Sequence, residues 1–510
     1  IDGLIGKDSL TITGTPGNDT ANFNPTSGTA GFSNGRSLST VSTETILMHG
    51  NGGFDVANLK DSAGNDTFRA QLNDARIEGT VNAMPYVSRV FNFRRVNARS
   101  INGGTDTARL TDSAGTDFLV SNADTGVTSM AGMQYSNNAF GFRNVIATSS
   151  AGGTDNAAFV GKSGANDAFV GRPTVSTLTD NSSYYFEASG FTSVLAVGQS
   201  TDADTAKLYD TAGDDQFVAR PIDAFMRIGA SGPLYLRARR FSSVTAIASL
   251  GVDLAVLEGT AGDDSLIALP GSYSMSSQNL SYMANGFDRL IARAASGAND
   301  VATLFGDAAD NHAIFRPTLV QVSGGAIDIV AETFDRVTVK GQAGMDDAMF
   351  FDSTGSDAFA AAEGLVTMIG TNFNNRAESF ESVYARSTAG GIDSATFAGT
   401  TGDDVYTASP TVAEMAASTY YARADNFETT EANVTVGAPG GTDSDNARLF
   451  DSSGNDLFFG RTDFGRLSGT GFFNVVRGFN AVAAFGNGGG VNTLDIANLS
   501  YLFQQIGTWV

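Results

Sequence analysis

One phrase governs this sequence: DVANLKDSAGNDTFRA, from Asp55 to Ala70, returns in recognisable form along the whole chain. Aligned on its opening acid, the copies begin at Asp8, Asp55, Asp106, Asp155, Asp204, Asp253, Asp300, Asp346, Asp393 and Asp445, at intervals near fifty residues. Ten repeats fill the chain, and an eleventh is expected to start at Asp495 with DIANL. A unit of this length cannot bury its apolar face alone and has to stack on its neighbours, so the repeat overrides any count of globular domains taken from length. Three regions follow: an irregular first repeat, 1–54; regular repeats, 55–491; and a partial repeat or cap, 492–510.

From the second repeat to the tenth, the residue two places after the acid is always Ala, as at Ala57, Ala108 and Ala157, and two places further stands Leu or Phe, as at Leu59, Leu110 and Phe159. Acid, Ala and large residue therefore share one face of a strand. A Gly-centred turn follows (SAGND, SAGTD, TGDD), then a second strand with an inward aromatic such as Phe68, Phe169 or Phe359. After a variable middle comes a closing strand of the form of Phe142 with Val145. It ends in small residues and often in Gly-Gly, as at Gly103–Gly104 and Gly440–Gly441.

Each repeat thus holds about five short strands and no helical period. The predicted fold is all-β, a parallel β-solenoid (β-helix) of ten repeats of about 48 residues, two coils to a repeat, with Ala stacked over Ala and Leu over Leu. A β-propeller is the main rival at this period, but ten blades exceed the usual four to eight. Sandwich modules are the other, but 48 residues make a small independent core.

A net charge of -23 with only five Lys argues against nucleic acid and against anionic membrane surfaces as partners. No apolar run approaches the roughly 18 residues that a membrane-inserted helix needs. The absence of Cys excludes disulfides, thiolate metal sites and a cysteine nucleophile. Opening on Ile1 rather than Met, with no signal segment ahead of it, is expected of a processed product or an excised piece.

The chemistry-bearing residues are acids eleven apart in each repeat: Asp55 with Asp66, Asp106 with Asp117, Asp204 with Asp215, Asp253 with Asp264, Asp346 with Asp357, Asp393 with Asp404, and Asp445 with Asp456. The fourth repeat pairs Asp155 with Asp167, and Asp19 stands at the first turn. Two readings are open. Each acid caps its own turn through backbone N–H groups, or the acids bind Ca2+, which takes six to eight hard oxygen ligands. Because every repeat offers the same pair, catalysis lacks a singular site, and GxSxG, HExxH and P-loop patterns are missing. No catalytic or cofactor-binding residue is assigned, and Ca2+ is the one candidate cofactor.

The turns GTPGNDT (Gly14 to Thr20), GTAGDDSL (Gly259 to Leu266) and GTTGDDVY (Gly399 to Tyr406) resemble the hemolysin-type RTX calcium-binding repeats. That resemblance implies ion ligands at Asn18 and Asp19, Asp263 and Asp264, and Asp403 and Asp404. Taken whole, DxAxLxDSAGNDxFxA with a later GFxxVxA resembles the long tandem-repeat proteins of planctomycete-type bacterial cell surfaces. What this likeness implies is an extracellular, structural or adhesive β-solenoid at the cell surface.

The apolar terminal stretch YLFQQIGTWV is expected either to cap the last coil or to pair with the first repeat of another copy, through Tyr501, Leu502, Phe503, Ile506 and Trp509. An open sheet edge invites another chain, and head-to-tail stacking builds filaments rather than rings. The leading expectation is an extracellular structural protein that self-associates into a filament or surface layer. A calcium-stabilised adhesin binding a cell-surface glycan or protein comes second, and a polysaccharide lyase or hydrolase on a β-helix third.

Overall fold

A computed structural model describes residues 6–229, 231–295, 299–434 and 443–510; Gly440–Gly441 lie outside them. The described chain is all β, with no helix, and its strands stack in parallel as a β-solenoid. It divides into two compact units, Ile1–Asp253 with Asn279–Asn285, and Leu254–Gln278 with Gly286–Val510.

The second repeat shows how one unit of sequence becomes one unit of structure. Its strands are Val56–Lys60, Thr67–Gln71, Asp74–Val81, Met84–Phe91 and Arg95–Arg99. The opening and closing strands pair in parallel in one sheet, Ala57 opposite Val96 and Leu59 opposite Ala98. The middle three form an antiparallel meander in the facing sheet. The next opening strand, Thr107–Thr111, joins that facing sheet, parallel to Thr67–Gln71. The next meander falls in the first sheet, where Tyr135–Phe140 pairs with Arg95–Arg99.

Each repeat therefore makes three passes between the sheets instead of the two full coils expected, and successive repeats open on opposite sheets. The cause is local: hairpin turns keep the middle three strands in one sheet, so an odd number of passes remains.

The core ladders also differ from the expected Ala over Ala. In one, Ala108 lies between Phe68 and Val145, and Val145 next meets Phe186. In the second unit, Ala302 lies between Leu266 and Val337. All of these side chains are buried. A small residue between two large ones fills the space between sheets without voids or overlap at these positions, whereas Ala57 and Ala348 each have an Ala, Ala21 and Ala313, on one side.

Before each closing strand from the second repeat to the tenth the chain turns through a residue of positive φ, including Asn92 at 58, Arg240 at 61 and Thr333 at 63, and then buries a Phe. The backbone N–H at these corners is held by a carbonyl from the meander, Asn92 N to Asn73 O at 2.9 Å and Thr333 N to Thr318 O at 2.8 Å.

The acidic turns as candidate site

The turn after each opening strand is built from its acid outward. Asp66 accepts the backbone N–H of Ser62 at 2.9 Å, the Ser62 hydroxyl, and the Tyr86 hydroxyl at 2.8 Å. Its own N–H donates to Oδ1 of Asp106 at 2.7 Å. The residue before it, Asn65, accepts the N–H of Thr105 at 2.7 Å. Two adjacent residues thus fix the loop of the following repeat, which is the local reason for the Asn/Asp–Asp pair.

The acids eleven apart in sequence are not brought together. Asp55 precedes and Asp66 follows the strand Val56–Lys60, which alone spans about 17 Å at ~3.3 Å per residue. The contact joins the turn acid of one repeat to the opening acid of the next. Asp19 meets Asp55, Asp117 meets Asp155, Asp167 meets Asp204, and Asp215 meets Asp253. Asp264 meets Asp300, Asp357 meets Asp393, and Asp404 meets Asp445. In the seventh repeat Asn311 takes the turn position and donates to Asp346 at 2.8 Å. Asp456 donates to Asn492 at 3.1 Å. All seventeen candidate acids are buried.

The turns come in two forms, set by the sixth residue after the opening acid. Where it is Asp, its carboxylate accepts N–H groups of the loop that leads into the next repeat: Asp61 from Ile101 and Asn102, Asp112 from Ala151, Asp210 from Ser249, Asp352 from Thr388 and Ala389, and Asp451 from Gly488. Where it is Gly, the turn acid itself fills the space: a Cβ at Gly161 would stand 2.0 Å from Asp167 Oδ2, and one at Gly259 would stand 2.3 Å from Asp264 Oδ2.

Sequence reasoning missed these sixth-position acids, although DSAGND against GTAGDD displays the choice. It also missed the residue after the closing-strand Phe. There Asp335, Glu381 and Glu428 accept the N–H of Asp300, Asp346 and Asp393, each at 2.8 Å.

Two clusters bring three carboxylates within 4.8 Å of one another: Asp61, Asp66 and Asp106, and Asp210, Asp215 and Asp253. Among the described residues these are the acids close enough together to share one ion. Their oxygens face amide and hydroxyl donors, including Ser100 Oγ to Asp106 at 2.5 Å and Tyr235 Oη to Asp215 at 3.1 Å. Burial pushes Asp106 above the usual carboxylate range, against the lowering effect of its bonds from Ser100 and Asp66. Burial also raises Asp167 to about 6, and raises Asp445 to about 6 with help from the like charges of Asp443, Asp404 and Asp403.

The residues singled out by likeness to the RTX turns have the same backbone roles. Asn18 accepts from Phe54 N at 2.6 Å, Asp263 from Asn299 N at 3.0 Å, and Asp403 from Ser444 N at 2.8 Å. Asp19, Asp264 and Asp404 accept the N–H of the Thr four residues before them, Thr15, Thr260 and Thr400.

At the chain's last strands, the eleventh repeat opens at Asn492 and not at Asp495. Asn492 receives the turn amide, while Asp495 is exposed and paired with Arg461 at 2.5 Å. The phrase DIANL matches in letters, but the Gly489–Gly490 loop sets the register three residues earlier. Of the terminal candidates, Tyr501 is buried and bonds Phe464 O at 3.1 Å, Phe503 stacks on Phe458 with centroids 4.7 Å apart, and Trp509 is buried with Nε1 on Ile506 O at 3.1 Å. Ile506 is half-buried and Leu502 is exposed.

Fold and turns together define a two-sheet β-solenoid whose buried acids bind one repeat's backbone to the next. Comparison with protein-family models and with curated proteins finds no match for this chain.

Proposed function

We propose that this chain is a structural repeat protein, an extracellular scaffold at the cell surface that is able to join other copies of itself. The observation that carries this reading is the use made of the acids. From the second repeat to the tenth, each opening acid accepts the backbone N–H of the preceding repeat's turn, at 2.7 to 2.9 Å. The groups best suited to ligand or proton chemistry are thus engaged in holding repeats together, and in the same way throughout. The acidic composition, which keeps such a body soluble, supports the reading, as does the sequence likeness to bacterial surface repeats.

The test is electron microscopy of the purified chain at one concentration and ionic strength, with calcium and then with chelator. Particles unchanged by chelator are the expected result. Particles that come apart in chelator would make the acids ion ligands, and turnover of a polysaccharide by the pure chain would overturn the structural reading.

A further inference from the structure

Four arginines stand in one row on the outer face of a sheet in the first unit. Arg89 is opposite Arg76, Arg76 opposite Arg69, and Arg69 opposite Arg109, on the neighbouring strands Met84–Phe91, Asp74–Val81, Thr67–Gln71 and Thr107–Thr111. The row ends in apolar residues, Leu47 beside Arg89 and Ile146 beside Arg109. Its length is that of three strand spacings, ~14 Å at ~4.8 Å each.

Like charges directly opposite one another on neighbouring strands are destabilising. Elsewhere the chain meets this cost by pairing an arginine with an acid, as Arg237 with Asp223, Arg293 with Glu332 and Arg477 with Glu431. In the row the acids are too few. Arg89 holds Asp74 through two bonds, at 2.7 and 2.5 Å, and Glu78 is shared between Arg69 and Arg76, each at 3.1 Å. The second of these contacts is poorly directed, since Arg76 Nε is buried and makes no hydrogen bond. The Arg109 side chain is exposed and has no ion pair, hydrogen bond or ring contact among the described residues. Arg69, Arg76, Arg89 and Arg109 against Asp74 and Glu78 leave an excess of two positive charges, in a chain whose net charge is -23. A row that breaks the pairing rule at a cost in stability is a place to look for a ligand.

The row has a cleft. Arg69, Arg76 and Arg109 border a space of about 240 Å³, with Gln71, Asp74 and Thr111 in its walls. That is room for one sugar unit and its acidic group. A guanidinium fork takes two oxygens of a carboxylate or sulfate at once, while the Gln71 amide and the Thr111 hydroxyl suit the neutral hydroxyls of a sugar. Nucleic acid and anionic membrane fit less well, because both call for basic charge over a wider area than this row covers.

We propose that the row from Arg89 to Arg109 binds an acidic glycan, with one carboxylate- or sulfate-bearing sugar in the cleft and Arg109 as its principal donor. This goes beyond the scaffold reading and does not depend on it. The glycan supplies the negative charge that Asp74 and Glu78 leave wanting, and the short row limits the contact to a few sugars.

The test is titration calorimetry of the full chain with trigalacturonate and with a sulfated trisaccharide, and with neutral maltotriose and inorganic sulfate as controls. At least one acidic trisaccharide should bind, more weakly as salt rises, and maltotriose should not. Arg109→Val should weaken that binding at least about tenfold without moving the melting temperature. Arg289→Val, which removes an exposed arginine paired with Asp328 in the second unit, should leave binding as it was. No binding of either acidic trisaccharide, equal binding by Arg109→Val, or sulfate bound as tightly as the sugars would overturn the glycan site. So would a change in the sedimentation of Arg109→Val without sugar, which would make the row a seat for the acids of a second copy. The scaffold reading falls only on the chelator or turnover result.

Discussion

The backbone N–H of Asp66 donates to Oδ1 of Asp106 at 2.7 Å, across a sequence separation of 40 residues. Asp106 also accepts the Ser100 hydroxyl and is buried, so one side chain closes its own loop and the preceding turn together. Asp106→Ala leaves a buried amide without an acceptor and should destabilise the chain by about 2–3 kcal/mol. Asp106→Asn keeps Oδ1 and removes a buried charge, so it should cost less than about 1 kcal/mol; the chain itself places Asn492 in this role. Urea denaturation ranks the two variants, and faster hydrogen exchange at the Asp66 amide in Asp106→Ala locates the loss.

Ala108 faces Phe68 on one side and Val145 on the other and is fully buried. Two added methyl groups have no space, and Ala108→Val should cost about 1–3 kcal/mol through overpacking. Arg109, one residue along, points to the exposed face, and Arg109→Val should change stability by less than about 0.5 kcal/mol. Thermal melts of the two variants compare the faces of a single strand.

The acid response has a definite sign. Asp167 and Asp445 stand at about 6 in the folded chain against an ordinary 3.8, so the folded state holds their protons more tightly. Their contribution to stability is full below about pH 4 and is lost as pH rises through about 6. The chain should therefore be more stable at pH 5 than at pH 7.5, by on the order of 1 kcal/mol per group, and relief of the -23 net charge acts in the same direction. Asp180 opposes this only at lower pH. Despite the raising effect of its burial, bonds from Ser183, Ser182 and Tyr184 hold it below its ordinary value, and what it contributes is lost as pH falls. Denaturation midpoints at the two pH values check the sign, and Asp167→Asn should flatten the slope.

At the cluster of Asp61, Asp66 and Asp106, a cation would have to displace amide and hydroxyl donors already within hydrogen-bond distance. Melting at fixed ionic strength should be the same with calcium as with chelator. A calcium-dependent rise that grows with the logarithm of concentration would be the mark of binding to the folded chain.

The period and the alternation of large and small residues made the solenoid and its five strands legible, because period-two burial follows from strand geometry alone. Neighbours were not legible. Ala57 reads as inward from its own strand, but that its partners are Ala21 and Val96 depends on the hairpin that keeps three strands in one sheet. The same crossing separates Asp55 from Asp66 and joins Asp66 to Asp106. Asp495 shows the opposite error: the letters DIANL matched, while the loop at Gly489–Gly490 and Asn492 set the register.

Gly161 and Asp167 give the sharpest test of the two turn forms. A methyl group at Gly161 would lie 2.0 Å from Asp167 Oδ2, which accepts the Lys162 amide at 2.8 Å, while Oδ1 takes the Tyr184 hydroxyl. Gly161→Ala should force the carboxylate off both donors and cost about 2–3 kcal/mol. Asp167→Ala removes the obstacle together with the acceptor, so adding Gly161→Ala to it should cost almost nothing more. A double-mutant cycle by urea denaturation then gives a coupling on the order of 2 kcal/mol. Additive losses would mean that the methyl clashes with the backbone of the turn, and that Gly161 is not there to seat the acid.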